Sequence, residues 1–425
     1  MNSPRRGASL MLLAMLAGGT AALGANPPVT AAPGQAGARV EPLALTHYAP
    51  TFRDWTLVSE VRILGLEVYT DDLVSVPVTD RVRVNTATML FPICDSTASS
   101  NTRLPRITSE LRIGPRILDS SPRMLTGYQS FARIAAWDMK DVSAPVVTLH
   151  VEVPMRCWET RIDEPRALAI PWSKQPLSPE LALCLLPQVS VESASDEVQT
   201  LTKQWLAAAP RGDGPGGIAR PYLLAKYLAG KIVDFLQPTD SCMVGTVRGM
   251  PQTSGPICLV GGFLMRGARE AAATGRGASF DLANLLTAVY RAAGIPCRLV
   301  VGVDALDSKA GENRPTVRAW TEFALIDDAN SRVEWIPVDI SRQREFSSRA
   351  QPIGQRWQYF GYNEELNHMC PIAYHWLPPT VCSNLGPLAF WGWVPSPEHV
   401  QGDQEIRLMV KGYAKRGDDP NDLGP

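Results

Sequence analysis

The chain has 425 residues, of which 45% are hydrophobic and 20% are charged, so it can bury more than one core. Its 33 glycines show no three-residue period, which excludes a collagen-like fibre, and its apolar fraction excludes a largely disordered chain. Lys and Arg number 41 against 42 Asp and Glu, for a formal net charge of -1. Without a basic excess to neutralise phosphates, nucleic acid is not an expected partner.

Residues 1–25 have the order of a secretory signal peptide. Two arginines precede an apolar run over residues 10–16, and small residues follow it. A membrane-spanning helix needs about 20 apolar residues, and Gly18–Thr20 interrupt this run too early. We therefore expect an exported protein that is periplasmic, secreted or in the cell envelope. The alternative is that residues 1–25 stay uncleaved as an anchor. No later segment predicts an integral membrane span. Residues 26–44 are rich in Pro, Ala and Gly and predict a linker.

Residues 45–190 predict an antiparallel β domain. Short β-branched runs with alternating polarity stand between clusters of Pro, Asp and Ser. The clearest of these runs are Val58–Tyr69, Val82–Phe91 and Val146–Val153. The polar segment Asp95–Arg103 predicts a surface loop.

From residue 191 to residue 345 the pattern changes to helices followed by a sheet. Ser195 is a cap residue before an amphipathic helix, and further helices are predicted over Leu223–Leu236 and Ser279–Ala293, the last ended by Gly294. The strands predicted after them are Cys297–Val303, Val317–Ile326 and Val333–Val338. The chain is therefore expected to be of the α+β class, with helices packed on an antiparallel sheet in its second domain.

Residues 346–410 form a C-terminal extension that is dense in aromatic side chains. Such density favours the packing of a small sheet over a ligand-binding platform. The charged, Gly- and Pro-rich residues 411–425 predict a flexible tail.

The most specific part of the sequence is a set of three blocks. A helix that ends in an Arg-Ala-x-Gly-Ile-Pro-x-Arg turn is followed by an Arg-x-Trp-x-Glu strand and a Trp-x-x-x-Asp strand. The set resembles the core of the transglutaminase-like superfamily, which is related to the papain-like cysteine peptidases. In chain order, the matching blocks are Arg291–Arg298, Arg318–Glu322 and Trp335–Asp339.

The resemblance implies a catalytic triad of Cys, His and Asp, and this chain departs from it at two positions. Ser279 stands where the family has its cysteine, Arg318 stands where it has its histidine, and only Asp339 keeps its residue type. A serine hydroxyl needs a base to become a nucleophile, and a guanidinium has no lone pair to accept the proton. The resemblance further implies that four other residues of the blocks line or support the cleft, namely Arg298, Trp320, Glu322 and Trp335.

These replacements predict a catalytically inactive pseudoenzyme that binds a peptide or protein, or acts as a scaffold, in the cell envelope. In this interpretation Ser279 is a helix N-cap, and Arg318 pairs with Asp339 across neighbouring strands. The alternative is an active amide hydrolase or acyltransferase that uses Ser279 with a non-standard base, either His368 or His375.

No cofactor or metal site is predicted. The five histidines lack paired ligand spacing, and no glycine-rich phosphate motif is present. Export would permit disulfides among the eight cysteines. We expect some to pair, with Cys370 and Cys382 as the candidate pair, and Cys297 to be free in the core.

Overall fold

The computed structural model describes most of the chain. The predicted signal peptide and nearly all of the predicted linker and tail lie outside the described residues. Within the described part, no helix is long and apolar enough to cross a membrane. The described residues are 43–65, 81–118, 121–128, 130, 132–239, 243–244, 257–306, 315–377, 388–397 and 402–412.

Strands dominate the first part of the described chain, and helices and strands mix in the second. The strands are β1 (Leu45–Gly65), β2 (Val82–Ile93), β3 (Ser96–Thr97), β4 (Ser100–Thr102), β5 (Thr108–Ile113), β6 (Arg116–Leu118), β7 (Arg123–Tyr128), β8 (Ala132–Ala144), β9 (Val146–Ile162), β10 (Gln237–Pro238), β11 (Met243–Val244), β12 (Ile257–Val260), β13 (Gly262–Phe263), β14 (Arg276–Gly277), β15 (Cys297–Asp304), β16 (Thr316–Asp327), β17 (Arg332–Val338), β18 (Met369–Ala373), β19 (Gly392–Ser396) and β20 (Gly402–Lys411). The helices are α1 (Glu164–Ala169), α2 (Pro179–Leu183), α3 (Asp196–Ala207), α4 (Pro221–Phe235), α5 (Gly267–Thr274), α6 (Ser279–Ala292) and α7 (Ile340–Phe346).

Three larger sheets organise these strands. The first has the order β12-β20-β1-β9-β4-β3, and β5 and β6 extend it from β9. The second has the order β19-β2-β8-β7, and the third has the order β17-β16-β15-β18. Neighbouring strands in all three are antiparallel. The predicted α+β class with antiparallel sheets is thus confirmed.

The long strands follow from their alternating sequences. Along β9, the side chains of Val147, Leu149 and Val151 are fully buried at 0% exposure, while their neighbours are partly exposed. Because successive side chains of a strand point to opposite faces, this alternation places one face of the sheet in the core. The predicted strands at Val82–Phe91 and Val146–Val153 lie inside β2 and β9.

Helix α6 packs on one face of the third sheet, and helices α4 and α7 also contact this sheet. The central helix α6 is buried from Phe280 to Arg291, and the Thr287 hydroxyl lies 2.9 Å from that of Thr321 in β16. Gly294 follows the helix with φ of 81°, a left-handed conformation that glycine adopts without strain. The other predicted helix start is also confirmed, because the Ser195 hydroxyl accepts the Val198 N–H at 3.4 Å at the start of α3.

The opposite face of the third sheet packs against the second sheet. The buried side chains between them come from β2, β8, β15, β16 and the segment around β18. They include Leu90, Ile134, Val300, Trp320, Leu366 and Tyr374. A Cβ atom at Gly302 would lie 2.8 Å from the Trp320 ring and 2.9 Å from the Cys370 carbonyl oxygen, so glycine is needed for this close approach.

The segment Asp95–Arg103 is not the surface loop that its polarity predicts. It forms the β3–β4 hairpin, in which Ser99 is 0% and Ser100 2% exposed. The hydroxyls of Thr97 and Ser100 lie 2.7 Å apart, so these short polar side chains satisfy one another and can be buried.

The described residues of the aromatic segment 346–410 do not form a small sheet of their own. Its strands β18, β19 and β20 join the third, second and first sheets respectively. Its tryptophans fill the common core, and Trp376, Trp391 and Trp393 are each 0% exposed. The domain boundaries drawn from the sequence stay a prediction.

Candidate functional site

The start of helix α6 is the first part of the candidate site. Ala278 is the N-cap residue, and the helix begins at Ser279. The carboxylate of Asp281 accepts the Ala278 N–H at 2.8 Å and the Gly267 N–H at 3.1 Å. The prediction that Ser279 is the N-cap is therefore wrong, because Asp281 reaches back to satisfy the free N–H groups. The Ser279 residue is left exposed at the helix start.

The first turn of helix α7 lies beside this helix start. The Ser341 hydroxyl donates to the Ser279 carbonyl oxygen at 3.0 Å. Asp339 is the N-cap of α7, and its carboxylate accepts the Arg342 N–H at 3.0 Å. The fold therefore places the start of helix α6 at Ser279 next to the start of helix α7, which carries the carboxylate of Asp339.

Arg318 of β16 faces three carboxylates, including that of Asp339. Its Nε lies 3.3 Å from Asp304 Oδ2, and its Nη1 lies 3.8 Å from Asp339 Oδ2 and 3.9 Å from Glu365 Oε2. The predicted pairing of Arg318 with Asp339 is therefore present, but it is the contact with Asp304 that is shorter. The Arg318 side chain is only 12% exposed.

Three more residues complete what we call the Arg318 cluster. His368 Nδ1 lies 2.8 Å from Asp304 Oδ1, and Arg342 Nε lies 2.8 Å from Glu365 Oε2. The Tyr359 hydroxyl donates to Glu365 Oε1 at 2.9 Å. The Arg318 cluster thus consists of Asp304, Arg318, Asp339, Arg342, Tyr359, Glu365 and His368.

The other four predicted site residues form a second group, toward the β3–β4 hairpin. Arg298 forms two hydrogen bonds to Glu322 Oε2, at 2.9 and 2.8 Å. Its guanidinium lies between two rings, 4.2 Å from the centroid of Trp335 and 4.5 Å from that of Tyr374. The Trp320 indole N–H donates to Glu322 Oε1 at 3.2 Å. These contacts favour a supporting role over lining a cleft.

Glu322 also joins this group to the hairpin of the first sheet. Its side chain is 0% exposed, and Oε1 accepts the Ala98 N–H at 3.0 Å. The four donated hydrogen bonds from three residues satisfy both carboxylate oxygens.

Comparison with known proteins finds a family model that this part of the chain matches. Residues 263–340 match the model of the transglutaminase-like superfamily. The chain contains a transglutaminase-like domain. The matched residues include the helix start at Ser279 and all three sequence blocks, through Asp339.

Two solved structures are similar to the chain. One is a candidate cysteine protease from Cytophaga hutchinsonii, with 14% identity and a TM-score of 0.45, over 88% of this chain and 95% of that one. The other is a candidate protease from Parabacteroides distasonis, with 13% identity and a TM-score of 0.21. That match covers 61% of this chain and 45% of the other. No curated protein matches the chain.

The two histidines considered as substitute bases are placed differently. His368 is bound to Asp304 within the Arg318 cluster. His375 is 0% exposed, and burial lowers its pKa to about 3, so it is neutral near pH 7. Within the described residues, neither imidazole forms a hydrogen bond with the hydroxyl of Ser279 in the transglutaminase-like domain.

The carboxyl groups of the Arg318 cluster differ in their electrostatics. Burial raises the pKa of Asp339, and the charges of Arg318 and Arg342 only partly oppose this. Burial also acts to raise the pKa of Asp304, but the hydrogen bond with His368 and the charge of Arg318 outweigh it, so the pKa lies below its ordinary value of 3.8. Of Asp304 and Asp339, Asp304 is therefore the more firmly ionised beside Arg318.

Asp304, Arg342, Tyr359 and Glu365 are the cluster members that the sequence did not indicate. Asp304 is the last residue of β15. The one sequence signal for it was its position directly after the predicted strand Cys297–Val303.

Within the described residues, no group of three or more His, Cys, Asp or Glu side chains is arranged to hold a metal ion.

The lowered pKa of Asp304 predicts a specific dependence of stability on pH. Its contribution is full above about pH 4, the unfolded pKa, and is lost as the pH falls through the lower folded pKa. In Asp304→Asn this contribution is absent at every pH. The difference in unfolding free energy between wild type and Asp304→Asn is therefore expected to be at its full value above about pH 5 and to shrink below about pH 4. Urea unfolding at a series of pH values measures it, and a difference that grows on acidification would contradict the assignment.

Proposed function

We propose that the protein is an exported pseudoenzyme whose transglutaminase-like domain binds a peptide or protein without turnover, or serves as a scaffold in the cell envelope. The observation that carries this proposal is the position of Arg318. By the sequence resemblance it stands at the place of the family's histidine, and its side chain faces the carboxylates of Asp304, Asp339 and Glu365.

The chemistry of this arrangement argues against acyl transfer. A thiolate at a helix start can attack a carbonyl carbon, but the hydroxyl of Ser279 first has to lose a proton to a base. Arg318 stays protonated and has no acceptor lone pair. Loss of general-base assistance alone costs a factor of roughly 100 to 10,000 in rate, and the effects of losing several triad members do not add.

Binding remains compatible with the geometry. Ser279 is exposed at the start of α6, so the position where the family holds its acyl donor is open to solvent. Phe346 at the end of α7 is 60% exposed and packs edge-on against Tyr359, with ring centroids 6.2 Å apart. An exposed aromatic ring next to the Arg318 cluster can contact a side chain of a bound peptide.

Turnover of glutamine-containing peptides tests the proposal. Wild type and Ser279→Ala are each expected to release no ammonia above the uncatalysed rate, because neither has a base at position 318. Ser279→Cys/Arg318→His restores both residue types of the family and serves as the comparison for regained turnover. Turnover by wild type that disappears in Ser279→Ala would show an active enzyme and overturn the proposal.

One observation favours a second candidate, an amide hydrolase or acyltransferase that uses Ser279. His368 and Asp304 form an imidazole–carboxylate pair at 2.8 Å, the arrangement that orients a catalytic base in serine hydrolases. If this pair acts on Ser279, wild type will turn over an amide substrate, and His368→Asn will abolish that turnover. A wild type that is as inactive as His368→Asn removes this candidate.

A further inference from the structure

Two buried cysteines from different sheets lie side by side. Cys157 is in β9 of the first sheet, and Cys370 is in β18 of the third. Both are 0% exposed. The Cys157 thiol donates to the carbonyl oxygen of Met369, the residue before Cys370, at 3.2 Å, so its sulfur lies beside the backbone of Cys370. Burial and, after it, the neighbouring Cys370 thiol raise the pKa of Cys157.

The strand pairings fix this juxtaposition. Cys157 is paired with Arg53 in β1 and with Ser100 in β4, so its position in the first sheet is held from both sides. Cys370 is paired with Val303 in β15 of the third sheet. The contact is therefore made by two anchored backbones and not by a mobile loop.

Another buried cysteine lies in the transglutaminase-like domain. The Cys297 thiol donates to the Thr287 carbonyl oxygen at 3.2 Å, inside helix α6, and is free as predicted; Cys157 and Cys370 are also free thiols in the structure. The predicted partner of Cys370 was Cys382, which lies outside the described residues. That pairing stays a prediction, and the pairing proposed below is its alternative.

We propose that Cys157 and Cys370 form a disulfide when the chain folds under oxidising conditions. The oxidant is a low-molecular-weight disulfide such as glutathione disulfide, by thiol–disulfide exchange through a mixed disulfide. One sulfur–sulfur bond forms between the two cysteines, both thiols lose their protons, and the glutathione disulfide is reduced to two thiols. Only the cellular relevance of this step rests on the proposed export.

The disulfide would fix the position of Glu365 and His368, two residues of the Arg318 cluster that come from the C-terminal segment. β18 begins at Met369, directly after His368, and Glu365 lies in the same short 3-10 turn. A link from Cys370 to β9 would tie this turn to the first sheet. It would thereby hold His368 and Glu365 against Asp304 and Arg342, in the contacts that the Arg318 cluster requires.

Peptide mapping tests the proposal. The full chain is refolded in a glutathione redox buffer, denatured without reductant, alkylated with N-ethylmaleimide and digested. A cross-linked peptide that contains Cys157 and Cys370 is expected in wild type and in the control Cys297→Ala. In Cys370→Ala the cross-link is expected to vanish and Cys157 to be alkylated. Quantitative alkylation of both thiols in wild type that was refolded and then denatured in this way would overturn the proposal.

Thermal unfolding provides a second measurement. Adding a reductant is expected to lower the Tm of oxidised wild type by about 5 °C, and to leave that of Cys157→Ala/Cys370→Ala unchanged. An equal response of both proteins to the reductant would contradict the disulfide. Because oxidation is performed in buffer, a negative result concerns this pair alone and leaves the proposed export and pseudoenzyme function unaffected.

Discussion

Replacing Glu322 with alanine is expected to lower the free energy of unfolding by about 4 kcal/mol. The carboxylate is fully buried and accepts hydrogen bonds from Arg298, Trp320 and the backbone of Ala98. Its removal leaves a guanidinium that is 12% exposed without its counter-charge, and leaves two N–H donors without their acceptor. Urea or guanidinium unfolding, followed by tryptophan fluorescence, measures the loss.

Two control variants separate charge from shape at this position. Glu322→Gln keeps the size and one acceptor oxygen but removes the charge, so it is expected to be destabilised by about 2 kcal/mol. Glu180→Ala removes an exposed carboxylate and is expected to change stability by less than about 0.5 kcal/mol. Equal stabilities of Glu322→Ala and Glu180→Ala would show that the contacts of Glu322 carry no net stabilisation.

Replacing Arg318 with alanine is expected to lower the free energy of unfolding by about 3 kcal/mol near pH 7. The guanidinium is that of the arginine nearest to Asp304, which is 0% exposed, and it also faces Asp339 and Glu365. Without it, the carboxylates repel one another in a poorly hydrated site. Denaturant unfolding at pH 7 tests the magnitude, and Arg349→Ala, at an exposed position, is the matched control.

The pH dependence of the same variant provides an internal check. Loss of Arg318 raises the pKa of Asp304, since the charge of Arg318 is among the influences that lower it in wild type. The variant therefore gains protons more readily on acidification, and its deficit in stability is expected to narrow as the pH falls from 7 toward 4. A deficit that is constant over this interval would mean that lost packing, and not charge, explains the effect.

Local patterns were sufficient to predict the elements that carry the site. The helix start at Ser279, the glycine after α6 and the strands β15 to β17 are marked by capping, periodicity and the three family blocks. The proximity of Arg318 and Asp339 was also predictable, because the blocks that contain them lie on neighbouring strands.

The remaining site contacts could not be predicted because they join residues that are distant in sequence. Glu365 and His368 reach the Arg318 cluster only because β18 pairs with β15, and nothing in their local sequence indicates that pairing. The β3–β4 hairpin was misassigned because its burial depends on Glu322 and on hydrogen bonds among its own hydroxyls. Polarity alone cannot distinguish such a buried segment from a loop.

The pairing of β1 with β20 dictates when the polypeptide can finish folding. Val58 is aligned with Met409, so the first sheet lacks an inner strand until almost the whole chain has been synthesised. Contacts at such separation are slow to form, since the entropy of closing the loop is lost before any pairing is gained. The first half of a nascent chain therefore cannot complete the first sheet. Strand β1 has no partner on its β20 side until residues 402–411 have been synthesised.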